Sequence, residues 1–320
     1  MALSQKAAKK KNRYVTIFLE GVTEKMEFIK AKTILTKVRD GSEWYGIDYN
    51  MNLYRGCSHG CIYCDSRSSC YHIDNFDVPR GKENALAILE RELASKKQKG
   101  VVGIGSMSDT YGPFEKEYEI TRGALKLLSR YGFGVSIDTK SSLVLRDLDL
   151  LKEIGEKNSD IVKLTVTTPR DELARIIEPR VCVSSERLKT IRNLSENGIF
   201  AGIMMNPVLP FITDGEEDIR TLVRLAHESG ARFIHTYMGV TLRENQRDYY
   251  YDQLDRHFSG LREKYARCYG DRYFCAPLKA QSLYQIFVKE CDRQGILHEM
   301  SDIIRAYKKE RVKDQQLSLF

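Results

Sequence analysis

No uninterrupted apolar run in this sequence approaches the roughly 20 residues that a membrane-crossing helix needs, and 30 % of the residues are charged. The N-terminus, MALSQKAAKKKNRY, is basic but has no apolar stretch behind it, so it does not read as a secretory signal. No long Pro-, Gly- or Ser-rich linker divides the chain, and no internal repeat is visible, which leaves out a repeat array and a string of loosely tethered modules. The expectation is a soluble cytoplasmic protein with no membrane partner. Acidic residues are missing from positions 1–13, where Lys6, Lys9, Lys10, Lys11 and Arg13 supply five of the net +7 charges. Such an arm is either a solvated end or a nucleic-acid contact.

The chain is long enough for one large domain with extensions or for two ordinary ones, and an apolar content of 42 % allows a sizeable core. Between about residues 80 and 240, β-rich apolar runs alternate with helical patterns. The predicted strands are 101–105, 134–139, 161–167, 200–206 and 233–237. The predicted helices are 83–99, 116–131, 146–156, 185–197 and 216–229. This alternation specifies a parallel sheet with right-handed crossovers. A further strand before Cys57 makes about six β/α units, an α/β partial (β/α)6 barrel of TIM type, two units short of closure. The organisation expected is a basic arm and extension over 1–45, the barrel over 46–245, a helical region over 246–310 and a tail over 311–320. Helices are predicted at 249–269, 278–294 and 301–309.

Three of the eight cysteines fall within eight residues, in NLYRGCSHGCIYC. Cys57, Cys61 and Cys64 have the spacing C-x3-C-x2-C, which points to metal. Three thiolates can hold three irons of a cubane and leave the fourth iron open. A structural zinc site would need a fourth ligand, for which Cys70, His59 or His72 are the candidates. The x3-then-x2 spacing is unusual for zinc.

With an aromatic, Tyr63, before the last cysteine, the motif resembles that of the radical S-adenosylmethionine superfamily. The longer string NLYRGCSHGCIYCDSRS resembles the branch related to spore photoproduct lyase, described as DNA-repair-photolyase-like. AKTILTKV at 31–38, TKSSLVLRDLDLL at 139–151 and EPR at 178–180 fit that branch, so the resemblance covers about residues 30–300. It implies a 4Fe–4S cluster on Cys57, Cys61 and Cys64. It also implies reductive cleavage of S-adenosylmethionine to a 5′-deoxyadenosyl radical, with the electron coming from a carrier such as flavodoxin or ferredoxin.

The resemblance also suggests where S-adenosylmethionine is held. Ser106, Ser108 and Asp109, after the second strand, are candidates for its ammonium. Lys140, after the third, is the candidate for its carboxylate. Thr165, Thr167 and Thr168 could meet ribose or carboxylate, Tyr63 the adenine, and Asn206 is a weaker adenine-side candidate. Ser, Thr and Asp at such positions also serve as ordinary helix caps. Arg180 reads as a salt-bridge former. The relative carries a hydrogen-donor cysteine where this sequence has Ser106. A serine O–H is too strong a bond for that role, so Cys70, Cys182 or a tyrosine would have to donate, or the reaction differs. Cys268, Cys275 and Cys291 have no regular spacing for an auxiliary cluster, and Tyr249-Tyr250-Tyr251 reads as helix packing more than as a base-stacking surface.

The chain ends in QLSLF. Gln316, Leu317, Leu319 and Phe320 resemble the peptide that docks bacterial repair proteins on the sliding clamp, with apolar anchors and one hydrogen-bonding side chain. The reading favoured is a radical enzyme acting on DNA. The alternatives are radical modification of RNA, protein or a small molecule, and a non-catalytic nucleic-acid-binding protein with a structural metal.

Overall fold

A computed structural model of the chain describes residues 25–40 and 44–308. The basic residues at 6–13 and the QLSLF end lie outside the described residues. The strands in chain order are β1 (Phe28–Ile29), β2 (Leu35–Lys37), β3 (Tyr49–Met51), β4 (Tyr54–Arg55), β5 (Arg80–Lys82) and β6 (Val101–Ile104). They continue with β7 (Gly134–Thr139), β8 (Asp160–Thr165), β9 (Ala201–Met205), β10 (Ile234–Thr236), β11 (Val240–Thr241) and β12 (Phe274–Cys275). Six of them, β3 and β6 to β10, are parallel neighbours in chain order, and β2 adds antiparallel to β3 at the edge. Their apolar runs are buried on both faces, as a parallel sheet wrapped by helices requires. The result is the partial barrel that the alternating pattern implies.

The helices are α1 (Ala85–Ser95), α2 (Glu115–Tyr118), α3 (Ile120–Arg130), α4 (Leu148–Lys157), α5 (Asp171–Ile177), α6 (Ser184–Glu196) and α7 (Glu216–Glu228). After them come α8 (Gln246–His257), α9 (Leu261–Tyr269), α10 (Ala280–Gln294) and α11 (Met300–Tyr307). Two predicted helices are each broken into a pair. The one at 116–131 divides at Glu119, whose φ is 47°. There the buried Glu115 carboxylate accepts from the Thr121 and Arg122 amides. The one at 249–269 divides at Gly260, φ 73°. The helix expected from residue 146 is preceded by a 3-10 turn over Ser142–Asp147. Helix α5 and the β11–β12 ribbon have no periodic signal at their lengths, and both are additions to the predicted elements.

The main core lies between sheet and helices, and it includes Leu283, Phe287 and Cys291 of α10, which packs on α7. A second core beneath the N-terminal strand ends joins Tyr45, Ile47, Val101, Ile161 and Phe233 to Ile303 and Tyr307 of α11. Tyr45 and Trp44 also bridge the open side of the barrel. Their rings stand 5.7 and 5.8 Å from that of His235 on β10.

Candidate active site

The loop after β3 folds back on itself before it presents its thiols. Gly56 has φ +83°, and a Cβ there would lie 2.7 Å from the Phe76 carbonyl. The amide of Cys57 donates to that carbonyl at 2.8 Å. From His59 onward the loop is fastened to the segment after α5, with Ile62 N to Ile177 O at 3.0 Å and Arg180 N to His59 O at 3.1 Å. Cys57, Cys61 and Cys64 are free thiols, and all three line one cavity of about 300 Å³ at the C-terminal ends of the barrel strands. That is the face where barrel enzymes carry their chemistry.

The thiols face the same space, and among the described residues no three His, Cys, Asp or Glu groups gather around a single ion position. A cubane takes one thiolate per iron, and three thiols on one cavity fit that donor set. Burial opposes ionisation of the Cys57 thiol, but His59 beside it outweighs burial and lowers its pKa. Burial pushes the Cys61 and Cys64 thiols up.

Behind the loop lies a buried polar chain. The Tyr63 hydroxyl donates to Glu178. Glu178 pairs with Arg187, which is wholly buried. Arg187 then donates to the Thr165 carbonyl and the Cys182 carbonyl, each at 2.8 Å. The tyrosine ahead of the last cysteine is thereby tied to the end of β8. Arg180 bonds to Asp77 at 3.3 Å and covers Gly60, a structural role as expected.

The residues proposed for S-adenosylmethionine separate into three groups. Tyr63, Ser106, Asp109, Lys140, Thr165 and Asn206 line the cavity. Ser108 and Thr167 are buried but are not among its lining residues, and Thr168 is buried with Oγ1 accepting from the Arg170 amide. Asp109 is committed to the protein. Its Oδ1 accepts from Tyr111 N and Thr139 Oγ1, and its Oδ2 accepts from Lys140 N at 2.7 Å and lies 3.5 Å from His59 Nδ1. It therefore positions Lys140 and has little capacity left for a ligand. Burial works against the Lys140 ammonium, but the Cys61, Glu178 and Asp109 charges more than offset it and raise its pKa. Lys140 is thus a fixed cation at the cavity wall, suited to a carboxylate.

Neither Cys70 nor Cys182 is among the lining residues, whereas Tyr237 is. Cys182 instead donates to the Lys140 carbonyl at 3.1 Å. Cys268 and Cys275 belong to one apolar cluster and Cys291 to another. Tyr250 and Tyr251 are buried, and Tyr249 packs on the Arg67 guanidinium, which confirms helix packing. Sequence reasoning passed over Trp44, Asp138 and Arg187, and it named His59 only as a zinc-ligand candidate and Glu178 only within the EPR segment. Asp138 and Lys163, charged residues within apolar strand runs, were the available signal for a polar barrel interior.

An uncharacterized protein of Mycobacterium bovis is 30 % identical to this chain over 248 residues, covering 75 % of this chain and 72 % of that protein. One of Methanocaldococcus jannaschii is 33 % identical over 199 residues, 61 % of this chain and 73 % of that protein. Among solved structures, a variant of spore photoproduct lyase has a TM-score of 0.63 at 14 % identity, over 87 % of this chain and 86 % of that one. Another variant, with bound AdoMet and dinucleoside spore photoproduct, has a TM-score of 0.59 at 14 % identity, over 85 % and 78 %. At that identity the likeness establishes the fold. Residues 51–242, more than half of the chain and the whole cysteine loop, match the radical SAM superfamily, and with three thiols lining one barrel cavity the chain belongs to that superfamily and uses its 4Fe–4S cluster and S-adenosylmethionine.

Proposed function

We propose that this radical SAM enzyme acts on DNA, in repair. The observation that carries the reading is the cavity mouth. Tyr237 lines the cavity and is 55 % exposed. Nearby, Tyr273 is exposed beside Arg243, whose guanidinium lies 4.9 Å from the Tyr273 ring centre and donates to its hydroxyl at 2.8 Å. The β11–β12 ribbon joins the two places. Exposed aromatics interleaved with a guanidinium are what single-stranded or flipped-out bases stack on. The like-folded lyase variant with a bound dinucleoside supports the same reading, as do the basic arm and the clamp-like QLSLF end.

The division of labour among the residues follows from the site. Cys57, Cys61 and Cys64 would each hold one iron. Lys140 would pair with the carboxylate of S-adenosylmethionine, and Ser106 and Thr165 would meet its other polar groups. When bound, the cluster and S-adenosylmethionine supply a 5′-deoxyadenosyl radical that removes a hydrogen atom from substrate. The walls around it, from Tyr63 to Met204, keep water and stray hydrogen donors away. The electron would come from a carrier such as flavodoxin or ferredoxin, and the C-terminal segment would bring the enzyme to the sliding clamp. Anaerobic incubation of the reconstituted enzyme with dithionite, S-adenosylmethionine and a library of damaged oligonucleotides tests the proposal. One damaged oligonucleotide should change mass and raise 5′-deoxyadenosine release above the level with undamaged strands. Stimulation by RNA, peptides or small molecules alone would overturn it.

A further inference from the structure

Three carboxylates line the cavity, and the protein uses them unequally. Asp109 accepts three hydrogen bonds from the protein, as described above. Asp65 accepts from Thr241 Oγ1 and Arg243 Nε at 3.0 Å and from Tyr71 OH at 2.8 Å. Asp138, on β7, has one ion-pair partner among the described residues, and its Oδ1 accepts no hydrogen bond. Its Oδ1 lies 3.3 Å from Lys163 Nζ, an ion pair that lacks hydrogen-bond alignment. A carboxylate offers about four acceptor positions, and a buried acceptor left unmade is costly. The nearby buried Tyr45 hydroxyl also has no partner. The Asp138 side chain is 13 % exposed, and that exposure is toward the cavity it lines. At the open side of the barrel stand Trp44, edge-on to His235, and Tyr237, whose ring lies 5.0 Å from that of Phe274. Both line the cavity. Lys163 offsets the Asp138 charge, so Asp138 itself makes no demand for a cationic partner.

We infer that Trp44, Tyr237 and Asp138 form a subsite for a neutral nucleobase, the rings supplying stacking surfaces and Asp138 accepting an N–H from the base edge. The inference rests on the nucleic-acid reading above and assigns the base to the part of the cavity that Trp44, Tyr237 and Asp138 line. Stacking fixes the plane of the ring, and a single edge hydrogen bond fixes its rotation within that plane.

Trp44 is the single tryptophan of the chain, so its emission reports on this place. The cluster-loaded enzyme with S-adenosylmethionine would be titrated anaerobically with thymidine, whose base has one N–H, and with 3-methylthymidine, which has none. Thymidine should change the Trp44 emission saturably, and 3-methylthymidine should bind at least tenfold more weakly. Asp138→Asn should lose at least tenfold in thymidine affinity. The two-nucleoside comparison in the unmodified protein stands even where that variant fails to fold. Equal binding of the two nucleosides, or no response to either, overturns the subsite. So does a tenfold loss of S-adenosylhomocysteine affinity in Asp138→Asn with thymidine binding unchanged, which would move Asp138 to the cosubstrate. Oligonucleotide-stimulated 5′-deoxyadenosine release is measured in the same preparation. If it persists while the nucleoside experiments fail, the subsite is wrong and the nucleic-acid reading stands. If both fail, both fall.

Discussion

The two sides of the active-site cavity are built on different principles. On the cysteine side, polar groups are consumed by the protein itself. Asp65 and Asp109 accept hydrogen bonds from the protein, Tyr63 is bonded to Glu178, and Arg187 ties that pair to the barrel. Elsewhere in the cavity, Asp138 on the central strand β7 keeps unused capacity, and at the open side of the barrel Tyr237 is more than half exposed. A cluster and its cosubstrate have fixed shapes, so a rigid, pre-satisfied wall holds them without reorganisation. A substrate brings its own donors and surfaces, so the wall that meets it has to leave some groups unpaired.

The comparison can be broken by mutation, and the largest effect belongs to the thiols. Replacing any one of Cys57, Cys61 or Cys64 with Ala should abolish 5′-deoxyadenosine release, and reconstituted protein should otherwise carry about four irons per chain. Iron uptake and release that survive the change would place the cluster elsewhere. Next comes Arg187→Met, which leaves the Glu178 carboxylate buried without its cation. Breaking such a pair costs about 3–5 kcal/mol, read as a fall in the denaturation midpoint of the apo-protein. A loss below about 1 kcal/mol would mean that the polar chain behind the loop is not what holds it.

Lys140→Ala removes one charge-assisted contact, about 1.5–3 kcal/mol. S-adenosylmethionine affinity should fall on the order of ten- to a hundredfold while iron content stays the same, and unchanged affinity would take Lys140 out of the site. On the other side, Tyr237→Ala should leave unfolding stability within about 0.5 kcal/mol, as for other exposed positions. Oligonucleotide affinity should drop by about 1–3 kcal/mol, the worth of a base-stacking contact. A large stability loss would show Tyr237 to be a packing residue and erase the contrast. The smallest effect on the site belongs to the end of the chain. Deleting residues 311–320 should leave S-adenosylmethionine cleavage untouched. A peptide ending at Phe320 should nonetheless bind a bacterial sliding clamp, and replacing Leu319 and Phe320 with Ala should eliminate that binding.

Much of the fold was legible because it is written locally. Runs such as Val101–Ile104 and Ile161–Thr165 are apolar at consecutive positions, which a sheet buried on both faces demands. Breaks inside helices were not legible. Glu119 interrupts one because the Glu115 carboxylate, held also by Arg146 from a later segment, captures the amides of Thr121 and Arg122. The site divides the same way. Asp109 lines the cavity, but Thr139 and Lys140, about 30 residues later, bond to it and take up acceptor positions that a ligand contact would need. Ser108 and Thr167 lie near the right strand ends but are not among the lining residues, because both fall beyond the last strand residues, Ile104 and Thr165, where strand alternation no longer sets the direction of a side chain.

The sequence by itself determined the thiol triad, the order of strands and helices and the family, since these depend on spacing along the chain and on local apolar patterns. Only the tertiary structure decided which polar groups are spent and which are free. Hydrogen-bond capacity is consumed by partners from distant segments, such as Glu178 for Tyr63 and Thr139 for Asp109, and no spacing along the chain records that pairing.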